Sequence, residues 1–177
     1  MKTLIIHPKD PTTDFLSTIY SGQNWTIINT NVFNSYLKDQ IKFHDRIILL
    51  GHGTSLGLIG FNHIIINSTF VYLLREKECV CIWCNADQFA KKYKLRGFFT
   101  GMIISEELEA LYYGIEPKID EITESNLLFA NSIKTAINSS NMLNEVKLRY
   151  CSDTNTIIKF NKNNIYQFEP NLVILNT

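Results

Sequence analysis

Apolar positions along the chain follow two rhythms. Uninterrupted apolar runs of strand length, at Thr3–His7, Trp25–Asn29, Arg46–Leu50, Cys79–Cys84 and Gly97–Ser105, alternate with stretches in which apolar residues recur at helical spacing. The helical stretches begin with Phe15–Ser21, for which Thr13 and Asp14 are the cap candidates and Gly22 the stop. Val32–Phe43 follows, with Val32, Phe33, Tyr36, Leu37 and Ile41 as its apolar positions, then Phe70–Lys77 and Asn85–Lys94. Glu106–Tyr113 is closed by Gly114, and Thr123–Ser139 is the longest, with Ile133, Ala136 and Ile137 in phase. Leu56–Ile59 and His63–Asn67 predict a small hairpin turning near Gly60-Phe61-Asn62. The tail holds Glu145–Tyr150, Thr156–Phe160 and Ile165–Phe168, and Asn161-Lys162-Asn163-Asn164 between the last two predicts a second hairpin.

Strands that are apolar throughout and alternate with helices imply an α/β three-layer sandwich, its mainly parallel sheet covered on both faces. The expected organisation is one domain, with a core over residues 1–113 and a helix and hairpin over 114–177. Reactive groups in such sheets gather at the carboxyl ends of the strands. Those ends carry His7, Gly51-His52-Gly53, Cys84-Asn85 and Ser105-Glu106.

Composition narrows the function classes. The 177 residues carry 17 Lys+Arg against 17 Asp+Glu, so there is no general positive field to attract a nucleic-acid polymer. A hydrophobic fraction of 45% and an aromatic fraction of 12% exclude wholesale disorder. No apolar run approaches the ~18 residues of a membrane span, and Met1–Pro8 reads as a first strand rather than a leader. Four cysteines in a chain of this length do not make a disulfide scaffold, so reduced thiols and a cytoplasmic setting are expected.

His52 and Cys84 form the sharpest constellation. Each ends a strong apolar strand, and if those strands are neighbours both side chains project from one sheet edge. A thiol needs a base or positive charge beside it to become a nucleophile near neutral pH, and histidine is the usual supplier. Gly53 is expected to let the chain turn and to leave room over the imidazole, and its amide and that of Cys84 are candidate oxyanion donors. Cys81-Ile82-Trp83-Cys84 has the C-x-x-C spacing, but Cys81 lies inside a strand, Cys79 and Cys81 alternate to the face opposite Cys84, and Cys151 is remote. Neither a metal site nor any cofactor is expected.

A strand ending in His-Gly, then a hairpin and helix, then a strand ending in Cys resembles the caspase-like cysteine peptidases, the gingipain- and clostripain-type enzymes among them. The matching residues are Leu49-Leu50-Gly51-His52-Gly53 and Cys81-Ile82-Trp83-Cys84. The resemblance covers about residues 1–110 as an order of elements and implies a caspase-like sheet, with His52 as general acid–base and Cys84 as nucleophile toward a peptide or protein substrate. It also places Asp87 and Glu106 where a pocket would select a basic side chain, although for both a place at a helix N-terminus is the stronger reading. The sequence departs from the family at Trp83, where many relatives carry a small residue, and at Asn85-Ala86-Asp87.

The alternative is a catalytically inactive protein that binds or sequesters a small nucleotide or phosphate ligand. Residues 51–60 are glycine-rich and follow a strand, as phosphate-cradling loops do, with His7 and Lys9 as charged neighbours. The run fits neither G-x-G-x-x-G nor the P-loop pattern. Leu127, Leu128, Phe129 and Ile133 serve either the core or a face between copies in a homo-oligomer.

Overall fold

The computed structural model describes residues 1–118 and 120–169. Six strands form one sheet in the order β2 (Thr26–Ile28), β1 (Thr3–Ile6), β3 (Arg46–Leu50), β7 (Glu78–Ile82), β8 (Arg96–Thr100), β9 (Ile165–Phe168). The first five run parallel, and β9 is antiparallel to β8. A second, antiparallel sheet of β4 (His52–Thr54), β5 (Gly57–Gly60) and β6 (His63–Ile66) lies between β3 and β7 in the chain. The α/β three-layer arrangement expected from the apolar runs is present.

Strand alternation sorts the core into two layers. Ile47, Leu49, Cys79 and Cys81 face one layer, shared with α1 (Asn34–Phe43), α2 (Val71–Leu74), α3 (Ala86–Tyr93) and the small sheet. Ile48, Leu50, Val80 and Ile82 face the other, with a 3₁₀ helix over Pro11–Tyr20, α5 (Glu121–Ala136), α6 (Met142–Arg149) and α7 (Thr156–Lys162). The short α4 (Glu107–Tyr112) packs Ala110 beside Ile104 and Ile157. Phe129 and Ile133 of α5 are buried against the sheet, which assigns them to the core, while Leu127 stays exposed.

Arg46 locks the end of α5 to the sheet from a position only 2% exposed. Its Nη1 donates to the Ile137 carbonyl at 2.8 Å, Nη2 to Asn138 Oδ1 at 3.0 Å and Nε to Thr3 Oγ1 at 3.3 Å. A buried guanidinium is tolerable because each of its three nitrogens has an acceptor.

Three local expectations are corrected. The first helical segment starts earlier, at Pro11, and is 3₁₀; its cap is Asp10, whose carboxylate accepts from Thr12 N–H, not Thr13 or Asp14. The C-terminal hairpin does not form: Thr156–Lys162 is helical because Asn155 caps it, accepting from Ile158 N–H at 3.0 Å, and β9 joins the main sheet beside β8. Residues 51–60 are not a loop but the strands β4 and β5, with Gly53 opposite Leu58 and Thr54 opposite Gly57. Backbone groups of this segment that are paired across the ladder are directed at the neighbouring strand and do not converge on a ligand.

Candidate active site

The two strands that carry His52 and Cys84 are neighbours in register. Leu50 of β3 is the partner of Ile82 of β7, and Gly51 N–H continues the ladder to the Ile82 carbonyl at 3.0 Å. His52 and Cys84 each stand two residues beyond that pair, at the carboxyl edge of the parallel sheet. Gly51 has φ +138°, a conformation that side-chain-bearing residues rarely adopt, and this redirects the chain from β3 into β4. On the other strand, Asn85 takes the left-handed conformation, φ 67° and ψ 28°, and turns the chain from Cys84 into α3.

The Gly53–Trp83 contact joins the strand ends. A Cβ on Gly53 would sit 2.1 Å from Trp83 Cδ1, and the indole N–H donates to the Thr54 carbonyl at 3.0 Å. The absent side chain of Gly53 therefore makes room for the Trp83 indole, not for a substrate over the imidazole. Trp83 is the floor that carries β4.

His52 has a side chain 36% exposed. Its Nε2 lies 2.6 Å from Thr12 Oγ1 and 3.9 Å from Asp10 Oδ2. Thr12 Oγ1 donates in turn to Asp10 Oδ1 at 2.7 Å, and Thr12 N–H donates to the same oxygen at 3.0 Å. These bonds from Thr12 hold the Asp10 carboxyl below the usual carboxylate range, with His52 and His7 adding to the effect. A cleft of about 220 Å³ opens beside the imidazole, lined by Lys9, Asp10, Gly51, His52, Phe61 and Asn62 among others.

Cys84 is half-buried, and its thiol donates to the Ile103 carbonyl at 3.8 Å. Burial pushes its pKa up and the Glu109 carboxylate adds to that, while hydrogen bonding at the Ile103 backbone acts the other way. Glu109 is held there by Ser105, whose N–H and hydroxyl donate to its Oε2 at 2.8 and 3.2 Å. The Cys84 N–H has no acceptor among the described residues, which leaves it free as an oxyanion donor. Imidazole and thiol are not hydrogen-bonded to each other: each is turned to a partner on its own side of the edge.

The remaining expected residues are distributed as follows. His7 is 3% exposed, with Nδ1 at 3.0 Å from Tyr20 Oη and Nε2 at 3.3 Å from Thr13 Oγ1, so it presents no free group to a ligand. Asp87, in the first turn of α3, has one oxygen, Oδ1, fully enclosed without a hydrogen-bond partner among the described residues, and burial raises its pKa. Glu106 is the half-buried N-cap of α4 and makes no side-chain cap bond. Cys79 and Cys81 are buried, burial pushes the Cys81 thiol well up, and Cys151 is exposed. Among the described residues no three His, Cys, Asp or Glu side chains converge as a metal set, and no helix is long and apolar enough to cross a membrane.

Three residues of the site belong to no sequence motif: Asp10, Thr12 and Glu109. The run Asp10-Pro11-Thr12 has the form of a helix start, an Asx cap followed by proline at the first position, and that signal locates the loop. Glu109 carries no such sign, because its proximity to Cys84 depends on where α4 packs.

Fold and site together define an α/β protein that brings a half-exposed histidine and a half-buried cysteine to adjacent ends of a parallel sheet. No family model matches the chain, and no curated protein does. Among solved structures it is similar to the Trp repressor binding protein from Bacillus subtilis, with a TM-score of 0.41 and 8% identity over 72% of this chain and 98% of that one.

Proposed function

We propose that this chain is a caspase-like cysteine hydrolase that cleaves peptide bonds in a peptide or protein substrate, with Cys84 as nucleophile and His52 as acid–base. The observation that carries the proposal is the register of Leu50 with Ile82, which sets both residues two positions past one paired step of the sheet. The half-buried thiol has a free amide of its own to receive the developing oxyanion.

In the proposed reaction the Cys84 thiol leaves Ile103, gives its proton to His52 and attacks the scissile carbonyl carbon. The imidazolium then protonates the leaving amine as the C–N bond breaks, leaving a thioester on Cys84. Water attacks the thioester, its proton going to His52, and the acid product departs as the proton returns to sulfur. Burial and the Glu109 carboxylate favour the protonated thiol, so in this reading proton transfer to His52 accompanies the attack and does not precede it. Asp87, in the first turn of α3 just after Cys84, and Glu106, at the N-cap of α4, are the candidates for a basic substrate side chain. The chemistry suits a cytoplasmic location, where a free thiol stays reduced.

Incubation with a diverse peptide library, followed by mass spectrometry of the products, tests the proposal. Cleavage by the wild type and not by Cys84→Ala is the expected result. Identical product profiles from the two proteins would overturn it.

A further inference from the structure

We infer that Asp10, acting through the Thr12 hydroxyl, fixes His52 as the Nε2-protonated tautomer and so makes Nδ1 the atom that accepts and returns protons. The inference rests on His52 being the base proposed above.

Proton counting along the chain of contacts gives the assignment. A threonine hydroxyl has one proton to donate and two lone pairs to accept with. Asp10, whose pKa is depressed, is an acceptor only, so the proton between Thr12 Oγ1 and Asp10 Oδ1 belongs to threonine. Having spent that proton, Thr12 Oγ1 can only accept at its 2.6 Å contact with His52 Nε2. Nε2 must therefore carry a hydrogen, and in the neutral ring the lone pair falls on Nδ1. The second carboxylate oxygen, Asp10 Oδ2, lies 3.9 Å from the same Nε2.

Backbone geometry makes the arrangement durable. Asp10 Oδ1 also accepts Thr12 N–H at 3.0 Å as the cap of the 3₁₀ helix, so the carboxylate is held in place independently of His52. The loop after β1 thus serves the histidine after β3, its neighbour in the sheet. Base, hydroxyl and carboxylate follow the general logic of a base oriented by a third group, with a hydroxyl inserted between them. Asp10 and Thr12 are positioning residues: neither reaches the reacting atoms.

The test is ring-nitrogen NMR of selectively labelled His52 at about pH 8, above the ordinary histidine range. The expected spectrum has a protonated Nε2 and a lone-pair Nδ1. Thr12→Val keeps side-chain shape and leaves the Asp10 cap in place; it should move both shifts toward the averaged tautomer mixture, and Thr12→Ser should restore them. In parallel, His52-dependent labelling of Cys84 by a peptide electrophile should fall at least about tenfold in Thr12→Val. A protonated Nδ1 in the wild type, or shifts unmoved by Thr12→Val, overturns the inference and leaves the peptidase assignment untouched. A fixed tautomer combined with labelling that ignores His52 overturns the base role and the peptidase assignment together.

Discussion

Gly53 and Trp83 occupy the same space: a single methyl on the glycine would fall 2.1 Å from the indole Cδ1 and 2.7 Å from the Gly57 carbonyl. This contact holds the small sheet onto the end of β7 and thereby sets His52 and Cys84 on one edge. The indole is 2% exposed and its N–H is tied to Thr54, so it cannot swing aside cheaply.

Gly53→Ala should therefore destabilise the fold by about 1–3 kcal/mol through overpacking. The corresponding loss in melting temperature is several degrees for a chain of this size. Adding Trp83→Leu should cost less than the sum of the two single changes, because the smaller side chain admits the methyl. Full additivity in denaturant unfolding would contradict the contact.

The Cys84 thiol is held protonated by burial first and by the Glu109 carboxylate second. Glu109→Gln keeps an acceptor for Ser105 and removes the negative charge, which favours the thiolate and lowers the pKa. Alkylation of Cys84 near neutral pH should then become a few-fold faster, and its pH profile should move to lower pH. Site-resolved mass spectrometry separates it from the exposed Cys151. An unchanged or slower profile would show that Glu109 does not act on the sulfur.

Among the described residues Arg46 is the buried arginine, and three acceptors depend on it. Arg46→Met should cost about 2–4 kcal/mol, since the Ile137 carbonyl and the Asn138 and Thr3 side chains lose their donors. Arg46→Lys should recover only part, because one ammonium cannot reproduce the spread of a guanidinium. Thermal unfolding measures both, and a lysine variant as stable as the wild type would contradict this account.

The sheet was the most legible part of the chain. Arg46–Leu50 is apolar at every position but its first, because both faces of β3 are covered, and its observed bounds are those read from the sequence. His52 and Cys84 followed from the same runs, since they are the polar or reactive residues where the runs stop. The tail reads as strand because Thr156-Ile157-Ile158 has strand-forming composition, and only the Asn155 cap and the packing of Ile157 and Ile158 decide for a helix. The role of Gly53 is hidden from the sequence for a related reason: its neighbour in space, Trp83, is 30 positions away along the chain. Asp10, Thr12 and Glu109 join the site through packing of loops and a short helix, which no periodicity encodes.

Covalent labelling with a peptide bearing an electrophilic ketone, mapped by mass spectrometry, tests the central claim most directly. The account predicts adducts concentrated on Cys84 and lost when His52 is changed to Ala, with melting temperature unchanged. Adducts spread over the four cysteines, or labelling of Cys84 at the same rate without His52, would contradict it.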